Sequence, residues 1–431
     1  MPTPTVSLGL TGSGLLTQAP SASTGSWRRA RRTSPRPDQA CNPTTNRSAF
    51  TAPTFEIFKA LVGGLIGRVG EHTVTGVWQA ARLAGRLHHS RGHDFFARAA
   101  WSPDRLGLLV LDFLVERFVD PGAPLALAVD GSVFARAGRR VYGAVWHHDS
   151  SAAPGGRDFK FGDCFVVVGL VVRIGALGER AWCLPVLFRL WRPTAKPTKQ
   201  DAQPKRRPSQ PELAALLVGK VAERFPGRQI DVVGDAAFGC RAMAPASERT
   251  TLTTRLRSNA VVHAPAPARS GRPGRPRVRG QRLGNPSEIA AAASASEWQG
   301  VEVAGRGAAI VLAVRGLWYS VFGPAAVQVV IVREPADQDG YRIALVSTDA
   351  HATAAEVIDR YADRWSIEVA FQDAKQTVGV GEAQKRHPSM LDIVATLRRE
   401  LIRAEFQAQA GCGRSPQQIK LRPTPRMKAA A

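Results

Sequence analysis

Acidic residues are scarce in this chain: 35 Asp plus Glu stand against 58 Lys plus Arg among 431 residues, a formal charge of +23. That imbalance exceeds what solubility requires and points to a polyanionic partner. A long apolar run is missing as well. Arg173 and Arg189 interrupt the best candidates, so none reaches the roughly 18 residues of a spanning helix, and nucleic acid is favoured over membrane as the polyanion. Cysteine is sparse, with Cys41, Cys164, Cys183, Cys240 and Cys412 scattered singly. No close pair of the kind used by a zinc knuckle or a redox site is present, which suits a reducing cytoplasm. There is no Walker loop and no Gly-x-Ser-x-Gly elbow, which excludes the ordinary nucleotide hydrolases and serine hydrolases. Nothing implies an organic cofactor, and neither an internal repeat nor a heptad pattern is seen.

What is present divides the chain. Residues 1–48 are rich in Ser, Thr, Pro and Arg, carry "WRRARR" and hold almost no acid. They read as a disordered basic leader, since this composition buries too little apolar surface to offset chain entropy, and they lack the compact apolar core of a secretory signal. Residues 49–120 show helical apolar spacing, with Thr73 and Ser102 as N-caps, and read as a small helical DNA-binding domain. Its segment "RLHHSRGHDFFARAAW" mixes residue types that contact phosphates and bases with aromatics that equally suit a core. Residues 121–263 alternate strand-like runs ("PLALAVDG", "FKFGDCFVVVGLVVRI", "RAWCLPVLFRLW") with a helix at "QPELAALLVGKVAERF" and a further strand at "QIDVVGDAAFG", a mixed α/β order. Residues 264–350 join an Arg/Pro/Gly tract to alternating runs that suggest a β-rich insertion. Thr353 then opens a long helix within 351–384, with a capping box to Glu356, closure at Gly379 and Gly381, and a bend near Arg364 and Trp365. Residues 385–431 read as a C-terminal helix and a basic tail.

That long helix carries the densest chemistry. At about 100° per residue, Tyr361, Arg364, Glu368 and Lys375 fall within roughly 60° of one another, with Ile367, Ala370, Phe371, Ala374 and Val378 on another side. Asp130 ends the run "PLALAVD" and Asp235 ends "IDVVGD", so both are expected at the C-terminal ends of sheet strands, the edge where α/β proteins build sites. Three carboxylates gathered together repel by a few kcal/mol per pair at an effective dielectric of about 20, so a fold that collects them needs a cation. Hard oxygen ligands point to Mg²⁺ or Mn²⁺, and two such ions serve in-line phosphoryl transfer. Arg364, Lys375 and Tyr361 would then hold phosphates beside the metals.

These residues resemble the Tyr-x2-Arg-x3-Glu-x6-Lys signature of a subgroup of bacterial insertion-sequence DDE transposases. The segments "YADRWSIEVAFQDAKQTVGVGEAQ", "VVGDAAFG" and "VDGSVFARAGRRVYGAVWHHD" are similar to the family's text. The resemblance runs from about Phe50 to Gln384. It implies an RNase H-like catalytic domain with a β-rich insertion, and two Mg²⁺ (or Mn²⁺) ions held by Asp130, Asp235 and Glu368. It implies contacts from Tyr361, Arg364 and Lys375 to the transposon end. Double-stranded DNA, both transposon ends and target, would be the substrate, with a homodimer plausible in the synaptic complex, no membrane partner, and a bacterial cytoplasmic, nucleoid-associated location. After Gln384, "KRHPSMLDIVATLRRELIRAEF" comes at once where such proteins continue through a long apolar helical segment. The chain therefore reads as internally shortened there. An inactive remnant that only binds DNA, and a non-mobile nuclease of the same fold, stand as the alternatives.

The tract "RSGRPGRPRVRGQR" holds six arginines and no acid. Arg272, Arg275 and Arg277 in its Gly-Arg-Pro stretch suit a narrow minor groove, with a plain basic linker as the alternative. Trp298 and Trp318 suit a β core better than base stacking. His88-His89 and His147-His148 lack the second half of a metal site, and phosphate contact or surface exposure is expected of them.

Overall fold

The computed structural model describes residues 49–376 and 379, except 69–70, 137, 139–140, 149–158, 179, 195–205, 269–275, 304–306 and 334–339. The leader, the tail after Gln384, Arg272, Arg275, Val378 and Gly381 lie outside the described residues.

Four helices come first: α1 (Ala52–Gly67), α2 (Val74–Ala80), α3 (Ser90–Ala97) and α4 (Pro103–Phe118). Thr73 Oγ1 accepts from Gly76 N at 3.1 Å and Ser102 Oγ from Arg105 N at 3.3 Å, so both expected caps form. Phe50, Phe58, Phe95 and Trp101 stack into one aromatic core, with Phe50–Phe58 centroids 4.6 Å apart. The aromatics of the "HHSRGHDFF" segment therefore face inward, while His88, His89, Arg91 and His93 remain exposed. Helix α4 docks on the central sheet, with Leu106, Val110 and Leu111 buried. Asp104 near its start takes Arg189 at 2.6 Å and Lys220 at 3.3 Å. Burial works against this carboxylate's charge, but the two cations hold its pKa below the ordinary value.

The strands are β1 (Leu125–Ala135), β2 (Val145–His148), β3 (Phe159–Arg173), β4 (Ala181–Trp191), β5 (Ile230–Gly234), β6 (Thr250–Arg255), β7 (Val262–His263), β8 (Arg282–Gly284), β9 (Gln299–Val303), β10 (Gly307–Gly316), β11 (Val327–Arg333) and β12 (Ile343–Ser347). The remaining helices are α5 (Gln210–Arg224), α6 (Pro286–Ala292), α7 (Tyr319–Phe322), α8 (Ala354–Asp363) and α9 (Trp365–Gln376). Ten strands form one mixed sheet in the order β2-β3-β1-β5-β6-β12-β11-β10-β9, with β4 also on β3. The β3-β1 and β3-β4 pairs are antiparallel, while β1-β5 and β5-β6 are parallel. That is a mixed α/β arrangement of RNase H-like type, as expected.

Alternation along β1 and β3 separates the two faces. Leu125, Leu127 and Val129 join Leu217 and Val221 of α5 on one side, and Ala128, Phe165 and Val167 join Ile367 and Phe371 of α9 on the other. Of the strands after residue 264, β8 pairs with β7 in a separate two-stranded sheet, whereas β9 to β12 continue the large one. β12 pairs antiparallel with β6, and the buried Thr253 hydroxyl donates to Ser347 Oγ at 3.1 Å across that junction.

Three expectations need correction. β1 continues five residues past Asp130 because its second half pairs with β3, so this aspartate sits mid-strand and not at the strand's end. "VWHH" forms the edge strand β2, where the sequence suggested histidines in phosphate contact or at the surface, and His147 is buried. The signature helix is two helices: after Asp363 the bonding tightens, with Arg364 N donating to Tyr361 O and Ile367 N to Arg364 O. The bend anticipated at Arg364 and Trp365 is thus a break, and Gly379, beyond the described end of α9, has φ +57°.

Candidate active site

Register builds the first half of the site. Parallel pairing sets Ala128 of β1 against Val233 of β5. Two residues on, Asp130 comes level with Asp235, the residue immediately after β5. Asp235 Oδ1 accepts from Ala237 N at 2.9 Å, which fixes its turn. Gly234 permits that turn to close: a Cβ there would lie 3.0 Å from both Phe238 Cβ and Val129 Cγ2. Asp130 Oδ1 accepts from Gly131 N at 2.7 Å. A Cβ on Gly131 would lie 2.4 Å from Gln210 Oε1, the tip of a side chain at the start of α5.

Helices α8 and α9 bring the second half. The capping box forms, with Thr353 Oγ1 accepting from Glu356 N and Glu356 Oε2 accepting from Thr353 N at 2.8 Å. Arg360 then ties α8 to the sheet, reaching Asp349 at 3.1 Å and Asp231 at 3.7 Å. Arg173 at the end of β3 grips Asp359 at 3.1 Å and Asp363 at 2.9 Å. Sequence reasoning missed both arginines. The signal available was the spacing of four from Arg360 to Arg364 to Glu368.

With the break fixed, Arg364 Nη1 lies 2.6 Å from Glu368 Oε1 and 3.8 Å from Asp130 Oδ2. The guanidinium therefore stands between a strand carboxylate and a helix carboxylate. Its Nε–H is buried without an acceptor among the described residues. Tyr361 is half-buried between two apolar clusters, under Arg364 at 5.6 Å from its ring centroid. Lys375 lies three turns further on, its Nζ 5.0 Å from the Phe134 ring centroid. The four signature residues thus do not form one uniform face: Tyr361 and Arg364 turn inward at the break, and Lys375 reaches along β1. Arg277 is exposed in the loop between β7 and β8. Trp318 is buried, and half-buried Trp298 packs under Arg333 at 4.1 Å.

The electrostatics report the same gathering. Burial, then the charge of Asp235, pushes the Asp130 carboxyl up to about 7; Glu368 adds to this, while the Gly131 N–H and Arg364 oppose it. Cys164 beside it is pushed up to about 12 by burial and by Asp130, so it is no thiolate nucleophile near neutral pH. Among the described residues no group of three His, Cys, Asp or Glu stands close enough to hold a metal ion, and Glu368 bonds Arg364 at 2.6 Å. The donor chemistry nevertheless suits a hard divalent cation. All three groups are carboxylates, two are level on adjacent strands, and Asp235 and Glu368 both act against the charge of Asp130.

The family model of the DDE superfamily endonucleases matches residues 46–309, a span holding Asp130 and Asp235. The chain belongs to this family. Its DDE membership makes it an endonuclease-type protein with DNA as substrate class. No curated protein matches the chain. Among the described residues, no helix of this DDE endonuclease is long and apolar enough to cross a membrane.

Proposed function

We propose that the protein is an insertion-sequence transposase that binds the inverted-repeat ends of its element, cleaves there and joins the freed 3′-hydroxyl to target DNA. One observation carries this reading: the level register of Asp130 and Asp235, with Glu368 linked to Asp130 through a shared arginine. Asp130, Asp235 and Glu368 would hold divalent ions, Mg²⁺ or Mn²⁺. Bound there, such ions supply Lewis-acid stabilisation of the attacking and leaving oxygens of the phosphodiester.

The chain's own side chains supply the rest. Arg364, standing between Asp130 and Glu368, would present its fork to a phosphate oxygen near Asp130. Lys375, further along α9 over Phe134, would contribute a point charge, and Tyr361 would support the guanidinium from below. Burial around Asp130 lowers the local dielectric, which strengthens each of these contacts. A formal charge of +23 favours the approach of DNA in a salt-dependent way.

Purified protein incubated with duplex carrying the element's terminal repeats and Mn²⁺ should nick at the repeat end and then join that end to a second duplex. Asp130→Asn should abolish both steps and keep end binding. If the variant cuts and joins as its parent does, the carboxylate assignment fails; if the parent cuts without regard to repeat sequence, the reading as a transposase fails.

A further inference from the structure

The strand absent from the sequence expectations carries an unexplained surface. β2 and the start of β3 pair antiparallel, setting Trp146 opposite Phe161 and His148 opposite Phe159. Residues opposite one another share a face, so these four rings form a ladder. Trp146 and Phe161 centroids are 5.4 Å apart, and His148 and Phe159 centroids are 5.7 Å apart. Unlike the aromatics of the helical core, this ladder is open: Trp146 is 67% and Phe159 54% exposed. On the opposite face His147 is buried, its Nε2 3.1 Å from Gly162 O and its ring against Trp191, which roots the hairpin in the sheet.

The ladder's position gives it meaning. Asp130 of β1 is paired with Val167, and Phe134 with Asp163, so alternation puts Phe161 and Phe159 on the same sheet face as Asp130. Helix α9 lies on that face and runs the same way, from Glu368 beside Asp130 to Lys375 over Phe134. Carboxylates, lysine and aromatic ladder thus succeed one another along a single line. β2 and residues 159–162 hold no carboxylate, with Asp149 and Asp158 next to them in sequence; His148 is exposed on the ladder's face and Lys160, opposite His147, on the other. Bare exposed rings fit nucleobases, which stack on aromatic faces whatever their sequence.

We propose that Trp146, His148, Phe159 and Phe161 form a stacking platform for unpaired DNA bases on the strand that leads away from the cleavage site. This rests on the transposase reading for its scissile phosphate. The six to eight residues from Val167 to Phe161 and Phe159 span about 20–26 Å, which corresponds to about six to eight nucleotides from that phosphate at duplex rise. Stacking there holds open a frayed end while Lys375 tracks its backbone.

The test is a binding measurement in EDTA, where cleavage plays no part, so its outcome is separable from that of the transposase reading. Fluorescence anisotropy of a labelled duplex with a ten-nucleotide single-stranded tail is compared with that of the blunt duplex, for the parent and for the W146A/F159A variant. The parent should prefer the tailed duplex, and the variant should lose about tenfold or more on it while staying within about twofold on the blunt one. Trp146→Phe, which keeps a ring, should retain most of the preference. Equal binding of tailed and blunt duplex by the parent overturns the proposal. So does an unchanged preference in the double variant, or a variant whose defect is in melting temperature or self-association with tail binding intact, since the rings would then serve the fold or a second copy. Tail preference in a parent that never cuts DNA would leave the platform standing and remove the transposase reading instead.

Discussion

Asp130 is costly to the folded protein in the absence of metal, and Asp130→Asn should make the metal-free protein more stable. The carboxyl is raised from 3.8 to about 7. A carboxylate whose folded pKa lies above its unfolded one costs nothing where both states are protonated. The cost begins as pH rises past the unfolded value, because only the unfolded chain then releases its proton, and it is complete above the folded value. A displacement of about three units at about 1.4 kcal/mol each comes to at most about 4 kcal/mol at pH 8, and to about 1 kcal/mol at pH 4.5. Asparagine keeps an oxygen to accept from Gly131 N and removes the charge facing Asp235. Thermal melts in EDTA should therefore show the variant gaining roughly 5 °C at pH 8 and far less at pH 4.5. With Mg²⁺ added the order should narrow or reverse, because saturating ligand stabilises only the parent, by about 2.7 kcal/mol at a hundredfold excess over Kd. A variant less stable than its parent at pH 8 in EDTA, or a gain independent of pH, would refute the claim that Asp130 is held against the charge of its neighbours.

Other consequences are as direct. Gly234→Ala forces a methyl group against Phe238 and Val129 at 3.0 Å; overpacking should cost about 1–3 kcal/mol by denaturant melt and shift the Asp235 turn enough to depress cleavage. Asp104→Ala removes the carboxylate that Arg189 and Lys220 share; a loss of about 2–4 kcal/mol is expected, partly recovered on adding Arg189→Leu, and a strictly additive double mutant would deny the pair. Arg360→Leu frees α8 from Asp231 and Asp349; turnover should fall with little change in DNA affinity, whereas a purely affinity defect would make Arg360 a DNA contact. Binding to duplex DNA should weaken by about 0.9 log units per log unit of salt for each phosphate neutralised, measured by titration in KCl.

Legibility in the sequence differs from element to element. The core strands around Asp130 and Asp235 are visible as apolar runs, because strands covered on both faces need apolar residues at nearly every position. The caps at Thr73, Ser102 and Thr353 are visible because capping is local chemistry. The extent of β1 past Asp130 is not, since it depends on pairing with β3, and residues 131–135 have no apolar alternation strong enough to announce it. The break at Arg364 shows in the sequence only as a bend. It sits where Arg173 bonds Asp359 and Asp363 and where Arg360 bonds Asp231 and Asp349, and a helical wheel of the segment contains none of Arg173, Asp231 and Asp349. The edge strand at "VWHH" is obscured by its polarity, as its neighbour β3 supplies most of its reason to be extended.

The hydrogen-bonded junction of β6 with β12 bears on how the molecule is allowed to evolve and to come apart. Because the inserted strands continue the catalytic sheet, excising residues 264–349 would strip β6 of its outer neighbour and open a raw edge beside β5, the strand that delivers Asp235. The insertion is therefore not a detachable accessory: limited proteolysis within it should release no independently folded catalytic core, and lineages trimming the chain would have to do so elsewhere.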